Sequence, residues 1–168
     1  MGHHRIIAWS PNSRYAYGQQ DDRDWRLDTA ADRLQVKIRE LSFPIDADWA
    51  VNDAGQIVLA SAGPEGGSLK LIDWETGKEQ LLATGSFRSV MSGRDASLFV
   101  CAKMPENLSD AARGWEVWLG RLRGGAWCLS QVRGIYAPEA LIALSPDSKR
   151  LAYVDTNDEV RVVPITAE

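Results

Sequence analysis

A short pattern, a turn followed by an apolar strand, recurs four times along the 168 residues of this chain. Its two clearest copies contain Ser-Pro-Asn-Ser and Ser-Pro-Asp-Ser. Aligned on Asn12, Asp53, Asp95 and Asp147, the four copies lie 41, 42 and 52 residues apart. A period of this length is typical of arrays in which every repeat is a small sheet of about four strands. The spacing therefore predicts an all-β chain built from about four similar sheets.

The residue types of the repeated turn favour a tight reversal between two strands. Pro11 and Pro146 preset φ at the second position of a type I turn, and Asn or Asp suits its third position. The segment after each turn is continuously apolar, as expected of a strand that is covered on both faces. These predicted second strands are Tyr15–Tyr17, Ile57–Ala60, Leu98–Val100 and Leu151–Val154.

A hairpin completes each predicted unit. It is clearest where the strand Ser68–Trp74 enters Glu75-Thr76-Gly77, since Gly77 supplies the positive φ that such a turn needs. One domain is predicted over residues 1–168, and the last unit is expected to lack its fourth strand. The third unit has an insertion between Ala102 and Gly114, within which residues 107–113 are predicted to form a short helical turn. The predicted units span residues 5–40, 46–84, 87–132 and 139–163.

The Ser-Pro-Asn-Ser and Ser-Pro-Asp-Ser turns, together with Leu71–Gly77, resemble the repeats of TolB-type and WD-type β-propellers. The resemblance covers almost the whole chain. It implies that each unit is a propeller blade of four antiparallel strands. Such propellers serve as docking platforms, as periplasmic adaptors and as gating domains of oligopeptidases. They usually have more blades than the four that this sequence provides.

A chain with only about four blades must close its ring in an unusual way or leave it open. A propeller protects its sheet edges by radial closure, and an open arc would leave the apolar flanks of its first and last blades exposed. Arg5–Trp9 already belongs to the first strand, so the few residues before it are too short to complete the last blade. We expect a homodimer in which two copies, related by a two-fold axis, form a ring of about eight blades. A closed four-bladed monomer and a fragment of a longer chain are the alternatives.

Composition narrows the function classes. A net charge of −4 does not favour binding to nucleic acid or anionic lipid, and no apolar run is long enough to cross a membrane. We expect neither partner, and a cytoplasmic location, or a periplasmic one if a leader was removed. His3 and His4 are the only histidines, so we expect no enzymatic activity, no cofactor and no metal. Cys101 and Cys128 are predicted to be buried free thiols, too far apart for a disulfide.

The loops between second and third strands, and those between blades, are predicted to share one face of the propeller. These loops hold twelve acidic and five basic residues, so a basic protein or peptide would be steered toward this acidic loop face. Solvated charges that keep the chain soluble are the simpler alternative. The candidate binding residues are Asp21, Asp22, Asp24, Trp25, Glu65, Glu106, Asp110, Arg113, Asp155 and Asp158.

The preferred function is therefore a non-catalytic scaffold or binding module that docks a protein or peptide on the acidic loop face. The insertion in the third blade, residues 102–114, is its predicted specific contact. Two other functions remain open. One is the gating part of a larger enzyme such as an oligopeptidase. The other is a small-ligand or sugar site in the central channel, for which an exposed Trp25 would be a sign.

Overall fold

The computed structural model describes residues 4–20, 23–38, 47–63, 66–94, 97–107 and 112–165. In these ranges the chain forms fifteen β-strands and no helix, and hence no helix suited to crossing a membrane. The strands make four antiparallel sheets in which strands follow one another in chain order. We call these sheets blades 1 to 4. The all-β fold predicted from the repeat is confirmed.

Each of the first three blades has four strands, and the fourth has three. Blade 1 contains β1 (His4–Trp9), β2 (Tyr15–Gln20), β3 (Arg23–Asp28) and β4 (Arg33–Ile38). Blade 2 contains β5 (Asp48–Val51), β6 (Gln56–Ala60), β7 (Ser68–Asp73) and β8 (Glu79–Thr84). Blade 3 contains β9 (Phe87–Ser92), β10 (Leu98–Lys103), β11 (Trp115–Arg123) and β12 (Ala126–Ala137). Blade 4 contains β13 (Ile142–Leu144), β14 (Arg150–Val154) and β15 (Val160–Pro164).

The predicted second strands are β2, β6, β10 and β14, and the predicted hairpin of blade 2 joins β7 to β8. The helical turn predicted at 107–113 includes residues 108–111, which lie outside the described residues. The bounds of the domain and of its units stay a prediction.

The repeated turn has the predicted type I geometry. In blade 1 the N–H of Ser13 donates to the carbonyl of Ser10 over 2.8 Å, which closes a four-residue reversal. Ser13 has a φ of 59°, the left-handed residue that often follows a type I turn in a hairpin. The Asn12 side chain accepts a hydrogen bond from the N–H of Arg14 at 2.9 Å. Asp147 does the same in blade 4, where it accepts from the N–H of Lys149 at 3.1 Å. In blade 2 the neighbouring Asn52 holds the turn instead, and Asp95 of blade 3 lies outside the described residues.

Neighbouring turns are also bonded to each other. The N–H of Asn12 in blade 1 donates to Oδ1 of Asp53 in blade 2 over 2.9 Å. The N–H of Arg94 in blade 3 donates to Oγ of Ser148 in blade 4 over 2.8 Å. Polar residues of the repeated turns thus align blade 1 with blade 2 and blade 3 with blade 4.

Among the residues that the structure describes, the core forms three apolar clusters, each lying between two consecutive blades. Strands β6 and β10 contribute to two clusters each, because their successive side chains point to opposite faces of the sheet. The expectation that second strands are covered on both faces is confirmed for these two. The largest buried side chains of the clusters are Tyr17, Ile57 and Ile72 between blades 1 and 2, Leu69, Phe87 and Phe99 between blades 2 and 3, and Val100, Val117 and Leu151 between blades 3 and 4.

The two cysteines differ in exposure. Both are free thiols, and Cys101 is buried as predicted, but Cys128 is exposed. The prediction of a buried Cys128 was wrong because this residue lies on β12, the outermost strand of its blade. Burial raises the pKa of the Cys101 thiol to about 12, so this thiol is unreactive at neutral pH.

Gly120 provides a test of how tightly blades 2 and 3 are packed. A Cβ atom at this position would lie 2.1 Å from the ring of Phe99, which is fully buried. We expect Gly120→Ala to lower the free energy of unfolding by about 1–3 kcal/mol, because the ring cannot move aside without displacing the cluster. Urea denaturation measures this loss. Ser130→Ala, at an exposed position on the neighbouring strand, is the control, and an unchanged Gly120→Ala midpoint would show that the contact is loose.

Candidate functional site

The first strands of the four blades lie side by side at the inner edge of the structure, in the order β1, β5, β9 and β13. A cleft of about 440 Å³ opens at their C-terminal ends, beside the repeated turns, and Arg94 is the charged residue of its lining. A second cavity of about 320 Å³ opens at the other end and is lined by parts of β5 and β9 and by Leu141. Trp49 and Met91 line both cavities. Together these spaces mark a central axis with mostly apolar walls.

Asp48 has a structural task at this axis. Its Oδ2 accepts a hydrogen bond from the N–H of Ser89 over 2.7 Å. Ser89 has a φ of 52° and sits where the pairing of β9 with β10 shifts register between Val100 and Ala102. The carboxylate therefore ties blade 2 to an irregularity in blade 3.

The two predicted binding residues of blade 1 that the structure describes, Asp24 and Trp25, are not freely exposed. Asp24 is 3% exposed and accepts a hydrogen bond from Nε2 of Gln19 at 3.2 Å. Trp25 is half-buried on β3, away from the lining of both axial cavities. Two further predicted residues of this blade, Asp21 and Asp22, lie outside the described residues.

On blades 3 and 4 the predicted residues are paired or turn-forming. Glu106 is exposed and forms an ion pair with Lys103 at 2.8 Å, and the hydrogen bond from this lysine lowers the pKa of Glu106. The guanidinium of Arg113 lies 5.5 Å from the ring centroid of Tyr136. Glu65, on the β6–β7 loop of blade 2, and Asp110, on the insertion of blade 3, are not among the described residues.

Asp155 and Asp158 shape the loop between β14 and β15. The Asp155 side chain accepts hydrogen bonds from the N–H of Asn157 at 2.8 Å and from Nε of Arg161 at 2.9 Å. The bond from Arg161 is the main reason why the pKa of Asp155 is lowered. Asp158 is exposed and has a φ of 59°. In the described residues, no group of three His, Cys, Asp or Glu side chains is placed to hold a metal ion.

A charged cluster between blades 1 and 2 was missed by the sequence analysis. The Arg26 side chain is buried, lies 4.9 Å from the ring centroid of Tyr15 and 5.8 Å from that of Trp74, and forms an ion pair with Glu75. Burial alone would lower the pKa of Arg26. The interactions of its guanidinium with Tyr17 and Glu75 have the larger combined effect, so this pKa is raised. The alternation of side chains along β3 was a sequence signal for this cluster. In the structure Arg26 pairs with Tyr17 across the sheet, on the face toward blade 2.

The face of blade 1 that points away from blade 2 is apolar. Cross-strand pairs place Trp9, Ala16, Leu27 and Leu34 in one row across all four strands. Trp9 is 52% exposed and Leu34 is 60% exposed. The next row contains Trp25 and the exposed Val36. We call this surface the blade 1 flank.

Blade 4 has a similar surface on the side that points away from blade 3. Ala143, Ala152 and Val162 form one row across its three strands, and Val154 pairs with Val160 in the next. Val160 is 71% exposed and Val162 is 59% exposed. We call this surface the blade 4 flank. The exposure of both flanks shows that blades 1 and 4 do not cover each other.

Comparison with solved structures identifies the fold of these four sheets. The crystal structure of TolB from Acinetobacter baumannii aligns with 99% of this chain at a TM-score of 0.63 and 14% identity. A chain of the nidogen/laminin complex covers 96% of it at a TM-score of 0.61 and 9% identity. This chain has a β-propeller fold. The resemblance of its repeats to TolB-type blades is thus confirmed at the level of fold.

The propeller fold is shared by proteins with different roles. The dihydro-heme d1 dehydrogenase NirN, in complex with DHE, aligns with 98% of this chain at a TM-score of 0.57 and 18% identity. This chain spans 45% of the TolB chain, 60% of the nidogen/laminin chain and 34% of the NirN chain. No protein-family model and no curated protein matches the sequence. Because one fold serves many functions, the fold alone does not assign a role to this chain.

The contact between blades 1 and 2 gives a prediction about pH. Burial raises the pKa of Tyr17 from 10.0 to about 12, although the Arg26 cation offsets part of this effect. Because the folded chain holds the phenol proton more tightly than the unfolded chain, the contribution of Tyr17 to stability is complete below pH 10.0 and is lost as the pH rises through about 12.

Tyr17→Phe removes the titrating group and keeps the ring. We expect the difference in unfolding free energy between the wild type and this variant to change by about 1–3 kcal/mol over that pH range, to the disadvantage of the wild type at high pH. Urea denaturation from pH 8 upward measures it. If the unfolding free energies of the two proteins changed with pH in parallel, the raised pKa of Tyr17 would be contradicted.

Proposed function

We propose that this propeller is a non-catalytic binding module whose ring is completed by a second copy of the same chain. The observation that supports this proposal is the pair of exposed apolar flanks, one at each end of the arc of blades. Inside the chain every blade-to-blade contact buries surfaces of this kind in an apolar cluster. A second copy supplies the missing neighbour for both ends at once.

The geometry of such a dimer follows from symmetry. With a two-fold axis along the central axis, the blade 1 flank of each copy packs against the blade 4 flank of the other. The contact therefore occurs twice, and both flanks of both copies are covered. Complete burial of a Trp, Leu or Val side chain contributes about 1.5–3 kcal/mol. Trp9, Leu34, Val160 and Val162 are the residues with most to gain.

The acidic loop face is proposed as the docking surface of this ring for a basic protein or peptide. Two observations favour it: Glu106 is exposed on the loop between β10 and β11, and Asp158 is exposed on the equivalent loop of blade 4. Both loops join a second to a third strand, so they lie on the same face of the propeller. Electrostatic steering by such a face acts mainly on the association rate and weakens with added salt.

The dimer is tested by mass in solution. We expect sedimentation equilibrium to give twice the chain mass of 18.6 kDa over a wide dilution series. Leu34→Glu on blade 1, and separately Val160→Glu on blade 4, should each yield monomers, because a charge would be buried at both contacts of the ring. The matched control is Leu81→Glu, since Leu81 is 56% exposed but lies on blade 2. A wild type that is a monomer throughout would overturn the proposal.

The acidic loop face is tested by association kinetics with a fluorescent lysine-rich peptide. Replacing Asp21 and Asp22 together by Lys should slow association several-fold at low salt and leave dissociation nearly unchanged. The control is Glu79→Lys, which changes an exposed carboxylate on β8. Equal association rates for the wild type and the double variant would refute steering by this face.

A further inference from the structure

The cleft beside the repeated turns, which we call the axial cleft, is lined by the same turn position in three of the blades. The residue before the aligned position is Pro11 in blade 1, Arg94 in blade 3 and Pro146 in blade 4, and all three line this space of about 440 Å³. In blade 2 the equivalent Asn52 is buried and holds its own turn. Blade 3 thus places an arginine where blades 1 and 4 place a proline.

The first strands supply the remaining walls of the axial cleft. Trp9 ends β1, Trp49 lies on β5, and both line the cleft. Met91 of β9 and Leu144 of β13 line it from blades 3 and 4. Most of the described lining side chains are therefore apolar, and two tryptophans and two prolines are among them. Flat apolar walls of this kind favour a flat apolar ligand, which stacks on them.

These walls are anchored in the core on both sides of the axis. Trp49 packs against the apolar cluster between blades 1 and 2. Met91 and Leu144 pack against the cluster between blades 3 and 4. All three are half-buried, so one side of each residue is fixed by the core while another faces the cleft. Because packed side chains keep their positions, the space is formed before a ligand enters it.

Arg94 is positioned by the contact between the turns of blades 3 and 4. Its N–H donates to Oγ of Ser148 over 2.8 Å. A Cβ atom on the preceding Gly93 would lie 2.9 Å from the same Oγ, so the glycine lets the two turns meet closely. The Arg94 side chain is exposed and is the charged one among the described lining residues. A guanidinium is planar and pairs with a carboxylate through two parallel hydrogen bonds.

The described lining has few polar side chains, which are those of Ser92, Arg94 and Ser145. Ser145 is used within its own turn, where its Oγ donates to Asp147 at 2.6 Å and accepts from the N–H of Arg150 at 2.9 Å. A sugar carries many hydroxyl groups and would find few side-chain partners for them here. A ligand with a flat apolar body and one charged end matches these walls better.

We propose that the axial cleft binds a small aromatic carboxylate. Its ring lies against the tryptophan and proline walls, and its carboxylate pairs with Arg94. The walls of this site come from one chain, at the end of the central axis opposite the acidic loop face. The proposed dimer and the proposed docking surface assign nothing to this end, so the site goes beyond the proposed function.

Three probes separate the contribution of the ring from that of the charge. Indole-3-carboxylate has a flat ring and a charge, indole-3-carboxamide has the flat ring alone, and cyclohexanecarboxylate has the charge on a ring that is not flat. At pH 7, where carboxylates are ionised, we expect indole-3-carboxylate to bind the whole chain. Each of the other probes should bind about tenfold more weakly, because each loses one of the two contacts.

The indole N–H signals of the tryptophans, followed by NMR during each titration, give both the affinity and the location. Those of Trp9 and Trp49 should shift as indole-3-carboxylate is added. That of Trp118, which packs in the cluster between blades 2 and 3, should not. Trp9 lines the axial cleft but not the second cavity, so its shift places the probe beside the repeated turns.

A variant tests the role of the arginine. Arg94→Gln removes the charge and keeps the backbone N–H that bonds to Ser148. It should weaken binding of indole-3-carboxylate about tenfold and leave binding of the carboxamide unchanged. The matched control is Lys149→Gln, which removes an exposed positive charge from the blade 4 turn, outside the described lining. This control should leave both affinities unchanged.

Any one of three results would overturn the proposal. The first is the absence of a shift in the Trp9 and Trp49 signals at millimolar indole-3-carboxylate. The second is equal affinity for indole-3-carboxylate and for either of the other probes. The third is equal affinity of the wild type and of Arg94→Gln for indole-3-carboxylate. Neither substitution alters a flank residue, and the dimer is tested by mass, so the failure of one proposal is distinguishable from the failure of the other.

Discussion

The structure depends on the covering of sheets by other sheets. The second strands of blades 2 and 3 are apolar on both faces, and these two blades have a neighbour on either side. Leu59 faces blade 1, for example, while Val58, the residue before it, faces blade 3. Such a sheet is stable only between two others, since apolar surface left in water forfeits the main favourable contribution to folding. In the described arc of four blades, the outward faces of blades 1 and 4 are the two that no neighbouring blade covers.

The repeated turn serves this packing. Asn12 and Asp147 hold the reversals of blades 1 and 4, and the bonds from Asn12 to Asp53 and from Arg94 to Ser148 set neighbouring turns in register across the gap between blades. Backbone groups at the turns are thereby satisfied without water. The same residues that make the repeat visible in the sequence also keep the blades stacked at the central axis.

Much of the fold could be read from the sequence because its signals are local. The turn at Ser10–Ser13 and the apolar run at Ile57–Ala60 predict their own structures. The exposure of Cys128 could not be read in this way, since it depends on which strand of the blade is outermost. The burial of Arg26 required the register between strands and the packing of one blade on the next. Of the predicted binding residues, the burial of Asp24 likewise follows from its place in the paired strand β3.

Hydroxyl-radical footprinting at high and low protein concentration tests most directly whether a second copy covers the two flanks. If two copies close the ring, oxidation of Trp9, Leu34 and Val162 falls as the concentration rises, because these side chains become enclosed at both contacts. Leu81, exposed on blade 2, keeps a constant rate and serves as the internal reference. Equal oxidation of the flank residues at all concentrations, relative to Leu81, would contradict the account.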